Sequence, residues 1–130
     1  MLEEDLRVLG VFERRVLRTI FGGVQENGIW RRKMNHELAQ LYGEPSIQKV
    51  AKAGRIRWAG HVARMPDNYP AKMVFATNPA GRRRPGAQRA RWVDQVERDL
   101  AESTRCPRDW RAAANNRVNW RNFVNQAMSL

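Results

Sequence analysis

The chain has 130 residues and carries 24 Lys and Arg against 13 Asp and Glu, a net charge of +11. That length suits one domain with a single modest core. No apolar run approaches the roughly 20 residues that span a bilayer, the acidic start MLEEDLRVLG does not read as a signal peptide, and the one cysteine, Cys106, rules out an internal disulfide. The expectation is a reducing compartment, nuclear or cytoplasmic, with no membrane contact.

In chain order, Leu2, Leu6, Leu9, Phe12, Val16 and Ile20 keep helical spacing, which predicts a first helix with that stripe inward, stopped by Gly22 and Gly23. QENGIWRRK reads as a connector around Asn27 and Gly28, followed by a short helix from Asn35 to Leu41 or Tyr42. Ser46 is the expected N-cap of a long helix that Met65-Pro66 ends. Its predicted buried stripe is Ile47, Val50, Ala51, Gly54, Trp58, His61, Val62 and Met65. AKMVFA, 71 to 76, is read as a helical turn or two, and TNPAGRRRPGAQ as an exposed loop. A second long helix is expected from Ala87 or Gln88 to Glu102, burying Trp92, Val93, Val96 and Leu100. Pro107 opens a last helical region, which Asn115 and Asn116 divide. Strand signals are scarce, so the expected fold is all-α: one small bundle of about four to six helices.

The charge is unevenly placed. Residues 1–44 are neutral overall and residues 94–130 sum to +1, whereas residues 45–93 hold eleven basic side chains against the lone Asp67, a sum of +10. The expected organisation is one domain with a neutral helical part, a basic part and C-terminal helices. Such a block concentrates anions and makes nucleic acid the first partner to consider. Arginine dominates, 20 against 4 lysines, and a guanidinium grips phosphate through paired hydrogen bonds and stacks on rings.

The pattern R-x-R-W-x-x-x-V-x-R occurs twice, inside the block as RIRWAGHVARM at 55–65 and across its end as RARWVDQVERD at 89–99. On a helix each copy would set Trp58 with Val62, or Trp92 with Val96, as core anchors, and place Arg57 and Arg64, or Arg91 and Arg98, on one flank. The first copy has no acid between Glu44 and Asp67, while the second has Asp94 one turn from Arg98. The candidate phosphate-binding residues are Lys49, Lys52, Arg55, Arg57, Arg64, Arg82, Arg83, Arg84, Arg89 and Arg91. For catalysis the candidates His61, His36, Asp67 and Cys106 form no recognisable constellation, and the sequence shows no phosphate loop and no paired carboxylates at metal spacing. No enzyme activity, cofactor or metal is expected.

RIRWAGHVARMPDN, GRRRPGAQRARWVDQVERDL and DWRAAANNRVNWRNFV, in this order, resemble the region that follows the reverse-transcriptase domain in non-LTR (LINE-type) retrotransposon polyproteins. VFERRVLRTIFG and NHELAQLYG extend the resemblance over nearly the whole chain. It implies handling of element RNA or its DNA target, with a reverse-transcriptase core as a further partner. Gln88 and Ala90 stand where family members often carry another proline-arginine pair, and GRRRPG only approximates an AT-hook. The polymerase and endonuclease signatures are absent from these residues. The expectation is therefore a detached, monomeric binding tail; the alternatives are a helical scaffold bracing a polymerase thumb, with the first helix as its docking face, or a non-functional element remnant.

Overall fold

The structure is a computed structural model that describes residues 3–77, 86, 91–103 and 106–129. It is all-α, as expected, with seven helices and one short hairpin among the described residues. Where the sequence suggests one domain in three charge zones, the chain groups into two compact units, 1–51 and 52–130.

In the first unit α1 (Glu3–Phe21) carries Glu3, Glu4 and Asp5 in its first turn and Arg18 in its last, as the helix dipole favours. Lys33 Nζ donates to the carbonyls of Phe21, Gly22 and Gly23 at 3.0, 3.2 and 2.6 Å, satisfying acceptors that the helix end leaves open. The expected inward stripe is corrected. Leu6, Gly10 and Leu17 are buried, while Phe12 and Ile20 are 59% and 68% exposed. Gly10 leaves room on this face for the Gln48 amide, which a Cβ there would meet at 2.8 Å. That amide donates to the Leu6 carbonyl at 2.7 Å.

The expected connector is instead an antiparallel hairpin, β1 (Val24–Glu26) and β2 (Ile29–Arg31). Asn27 and Gly28 both take positive φ, 51° and 80°, the mirror-image turn whose twist matches two adjoining strands. Arg31 pairs with Glu26 and, at 2.8 Å, with Glu37 in α2 (Asn35–Tyr42). Glu37 also accepts the Met34 N–H at 2.6 Å. Its carboxyl is held down at about 2, first by the Arg31 hydrogen bonds and then by that N–H.

The next helix, α3 (Ile47–Ala63), begins in the first unit and continues into the second. The Glu13 carboxylate accepts the Ile47 N–H at 2.7 Å, a stronger cap than Ser46, whose hydroxyl is 3.5 Å from the Lys49 N–H. α4 (Pro70–Ala76), α5 (Trp92–Ala101), α6 (Trp110–Ala114) and α7 (Arg117–Ser129) complete the second unit. Its core joins Ala53, Ile56 and Ala59 of α3 to Val96 and Leu100 of α5, Trp110 and Ala114 of α6, and Trp120 and Val124 of α7.

The face of α3 is thus nearly the reverse of the one expected. Ala53, Ile56, Ala59 and Gly60 are buried, and Val50, Trp58 and His61 face outward; of the expected stripe, Val62 is buried. Small residues occupy the inner face because the Trp120 indole needs the room, and its Nε1–H donates to the Ile56 carbonyl at 3.1 Å. The core tryptophans are Trp110 and Trp120, not Trp58 and Trp92, which are 53% and 37% exposed. α5 also starts later than expected: Arg91 is extended at the N-cap, φ −91° and ψ 156°, so it does not share a helix flank with Arg98. The expected break at Asn115 and Asn116 is present, and the Asn116 side chain accepts the Asn119 N–H at 3.0 Å at the head of α7.

Candidate nucleic-acid interface

Each arginine of the first repeat copy meets a different fate. Arg55 turns inward, with its side chain 9% exposed, and its Nε donates to Asp99 Oδ2 at 2.7 Å; Asp99 is fully buried. Gln95 Nε2 donates to the other Asp99 oxygen at 3.2 Å. Lys52 pairs with Glu102 at 2.5 Å. The acid-free stretch therefore does have acid partners, drawn from α5 rather than from its own helix. Of the second copy's acids, Asp99 serves Arg55 of the first, Glu97 pairs with Arg111 at 3.1 Å, and Asp94 accepts the Arg91 backbone N–H at 3.1 Å in a cap instead of holding Arg98. This geometry commits Arg55 to packing α3 on α5, whereas the Lys52–Glu102 pair lies towards solvent and holds Lys52 only weakly.

Arg57 and Arg64 take a different direction. They line a groove of about 860 Å³ between α3 and α7, together with Trp58, His61, Arg117 and Arg121. No acid lines it. Arg57, Arg117 and Arg121 are exposed and make no ion pair among the described residues. Arg64 is half-buried and donates through Nη1 to the Ala114 carbonyl at 2.6 Å, which closes α6 and holds the guanidinium end of the side chain. Trp120 and Val124 form the apolar floor. The rings of Trp58 and His61 lie 5.0 Å apart on the outer edge of α3.

Three exposed guanidinium forks, with the charge of Arg64 beside them, could offer an anionic chain several simultaneous grips over an apolar floor. Sequence reasoning reached Arg57 and Arg64 and missed Arg117 and Arg121. Their signal was present: residues 110–130 contain no acid at all, and the two arginines stand four apart, on one side of a helix. Among the other candidates, Lys49 is half-buried in the first unit and Arg91 is exposed at the α5 N-cap, where it has a partner of its own. Arg82, Arg83, Arg84 and Arg89 lie outside the described residues.

Burial raises the Cys106 thiol pKa, and its Sγ–H donates to the Pro107 carbonyl at 3.4 Å. Asp67 is a turn residue beside Lys72, at 3.0 Å. Among the described residues, no three His, Cys, Asp or Glu side chains gather as metal ligands, and no helix is long and apolar enough to cross a membrane. No protein-family model matches the chain, and neither a curated protein nor a solved structure matches it.

Proposed function

We propose that the chain is a nucleic-acid-binding module whose groove between α3 and α7 holds the phosphate backbone. One observation carries the reading: Arg57, Arg64, Arg117 and Arg121 line a single groove that contains no carboxylate among the described residues. A solubilising surface mixes both signs and pairs them locally, as α1 does with Arg7 and Glu4. The groove does neither. The motif resemblance extends the proposal to the segment downstream of a non-LTR reverse transcriptase, with element RNA or target DNA as ligand, and the reading assigns the chain no catalytic step.

Arg57→Ala combined with Arg121→Ala tests it by gel shift. Affinity should fall by about tenfold or more, with the unfolding midpoint unchanged, because neither side chain packs in the core. Arg7→Ala combined with Arg98→Ala removes the same charge outside the groove and should cost much less. Equal losses from both pairs would reduce the binding to net charge and refute the groove.

A second reading, a helical scaffold, is favoured by α1, where Val8, Phe12 and Ile20 are 56%, 59% and 68% exposed. Light scattering behind size exclusion separates the two. A salt-insensitive oligomer without nucleic-acid affinity would establish the scaffold.

A further inference from the structure

Trp58 has a second neighbour. Besides the basic groove it lines a cavity of about 610 Å³ between α3, α4 and α5, whose walls include Val62, Phe75 and Trp92. Phe75 meets Trp92 edge-on at 5.6 Å, so the wall is a fixed aromatic corner rather than a loose patch. Polar groups also reach the cavity, among them Asp94 and Arg111. Arg111 is held over the Trp110 ring at 4.6 Å and bonded to Glu97 at 3.1 Å. One half-exposed indole therefore forms the common wall between a row of arginines and an aromatic recess.

Resting on the proposed nucleic-acid reading, we infer that the ligand is single-stranded and that this recess receives one of its unpaired bases, with Trp58 as a stacking surface. The arginines by themselves would hold duplex and single strand alike, since both present phosphates. The indole distinguishes them. In a duplex the base faces are already stacked on one another, so an exposed tryptophan beside the backbone has nothing to cover it. In a single strand each base offers a free face, and stacking on an aromatic side chain is sequence-tolerant. A cavity of this size, mostly apolar with a few polar groups, suits a planar heterocycle that carries hydrogen-bonding edges. The sharing of one wall matters because a base leaves its own backbone by only a few bonds. The recess is within reach only of a strand already lying in the groove.

Fluorescence anisotropy with labelled single strands of about twelve nucleotides, both ribo- and deoxyribo-, against the matched duplexes tests this. The full chain should bind a single strand about tenfold tighter than its duplex, and preference for either sugar supports the inference. Trp58→Ala should remove about tenfold from single-strand affinity and leave duplex affinity unchanged, while Trp58→Phe should keep most of it. A strand carrying 2-aminopurine should be quenched by the parent chain and not by Trp58→Ala. Val74→Asp supplies a second variant, at a position lining the same cavity and 74% exposed. It should impair single-strand binding selectively even if Trp58→Ala perturbs folding. Equal affinity for strand and duplex, both weakened by the Arg57→Ala and Arg121→Ala pair, would overturn the base pocket and leave the groove standing. No binding of either ligand would overturn both.

Discussion

Gly60 in α3 and Trp120 in α7 are in such close contact that a Cβ on Gly60 would sit 2.0 Å from the indole Nε1. The close approach lets that Nε1–H reach the Ile56 carbonyl, and it sets Arg117 and Arg121 beside the groove. Replacing a mid-helix glycine with alanine ordinarily gains about 1 kcal/mol of helix propensity. Here the overlap is with a buried ring that has no room to retreat. Gly60→Ala should destabilise the second unit by about 1 to 3 kcal/mol on urea unfolding. Unchanged or increased stability would show that α3 and α7 sit further apart than described.

Trp120→Ala should cost about 3 to 5 kcal/mol, as truncation of a fully packed tryptophan does, whereas Trp58→Ala should leave the unfolding midpoint nearly unchanged. Reversal of this order would restore Trp58 to the core and remove the groove's outer wall.

The Arg55–Asp99 pair stands inside the second unit, and Arg55 Nη2 is buried with no hydrogen-bond partner. Removing one partner leaves an uncompensated charge, so Asp99→Ala should cost about 3 to 5 kcal/mol by chemical denaturation. The joint replacement Arg55→Met with Asp99→Leu should cost far less, and should leave nucleic-acid affinity within about twofold, because neither group faces the ligand. A large loss of affinity in the well-folded double variant would place Arg55 in the interface.

What the sequence disclosed was the helices and, apart from the start of α5, most of their ends. Gly22, Pro66 and the Asn115-Asn116 pair each stop a helix for a local reason, backbone conformation or capping, which a linear reading can see. What it hid was which face turns inward. Both sides of α3 carry apolar residues, and hydrophobicity ranks Trp58 and Val50 above Ala53, Ala59 and Gly60. The inner face is chosen by smallness, because Trp120, 64 positions away from Ile56, has to fit against it. The Asp99 partner of Arg55 was hidden in the same way, at a separation of 44 residues. The hairpin is a different case: Asn27-Gly28 is a strong local turn signal, but the flanking three-residue strands are too short to alternate visibly.

Low pH should act on the first unit through Glu37, whose carboxyl is held at about 2 against an ordinary 4.5 by its bonds to Arg31 and the Met34 N–H. A depressed carboxyl contributes stability above its unfolded value and loses it as pH falls towards the folded one. The contribution should therefore be complete above about 4.5 and fade towards about 2. Glu37→Gln should lower the thermal midpoint of this unit at neutral pH, and the gap from the parent should narrow below about 4.5 and close only as the pH reaches about 2. A gap that stays constant with pH would show that the carboxylate charge contributes nothing.

The groove itself is tested most directly by the salt dependence of single-strand binding, compared between the parent chain and the variant carrying Arg57→Ala, Arg117→Ala and Arg121→Ala. Each phosphate contact adds about 0.7 to the slope of log K against log salt. The triple variant should therefore lose about 2 from the magnitude of that slope, along with most of its affinity, while unfolding at the parent's midpoint. An identical slope in parent and variant would mean that these three arginines touch no phosphate, and it would contradict the groove as the nucleic-acid site.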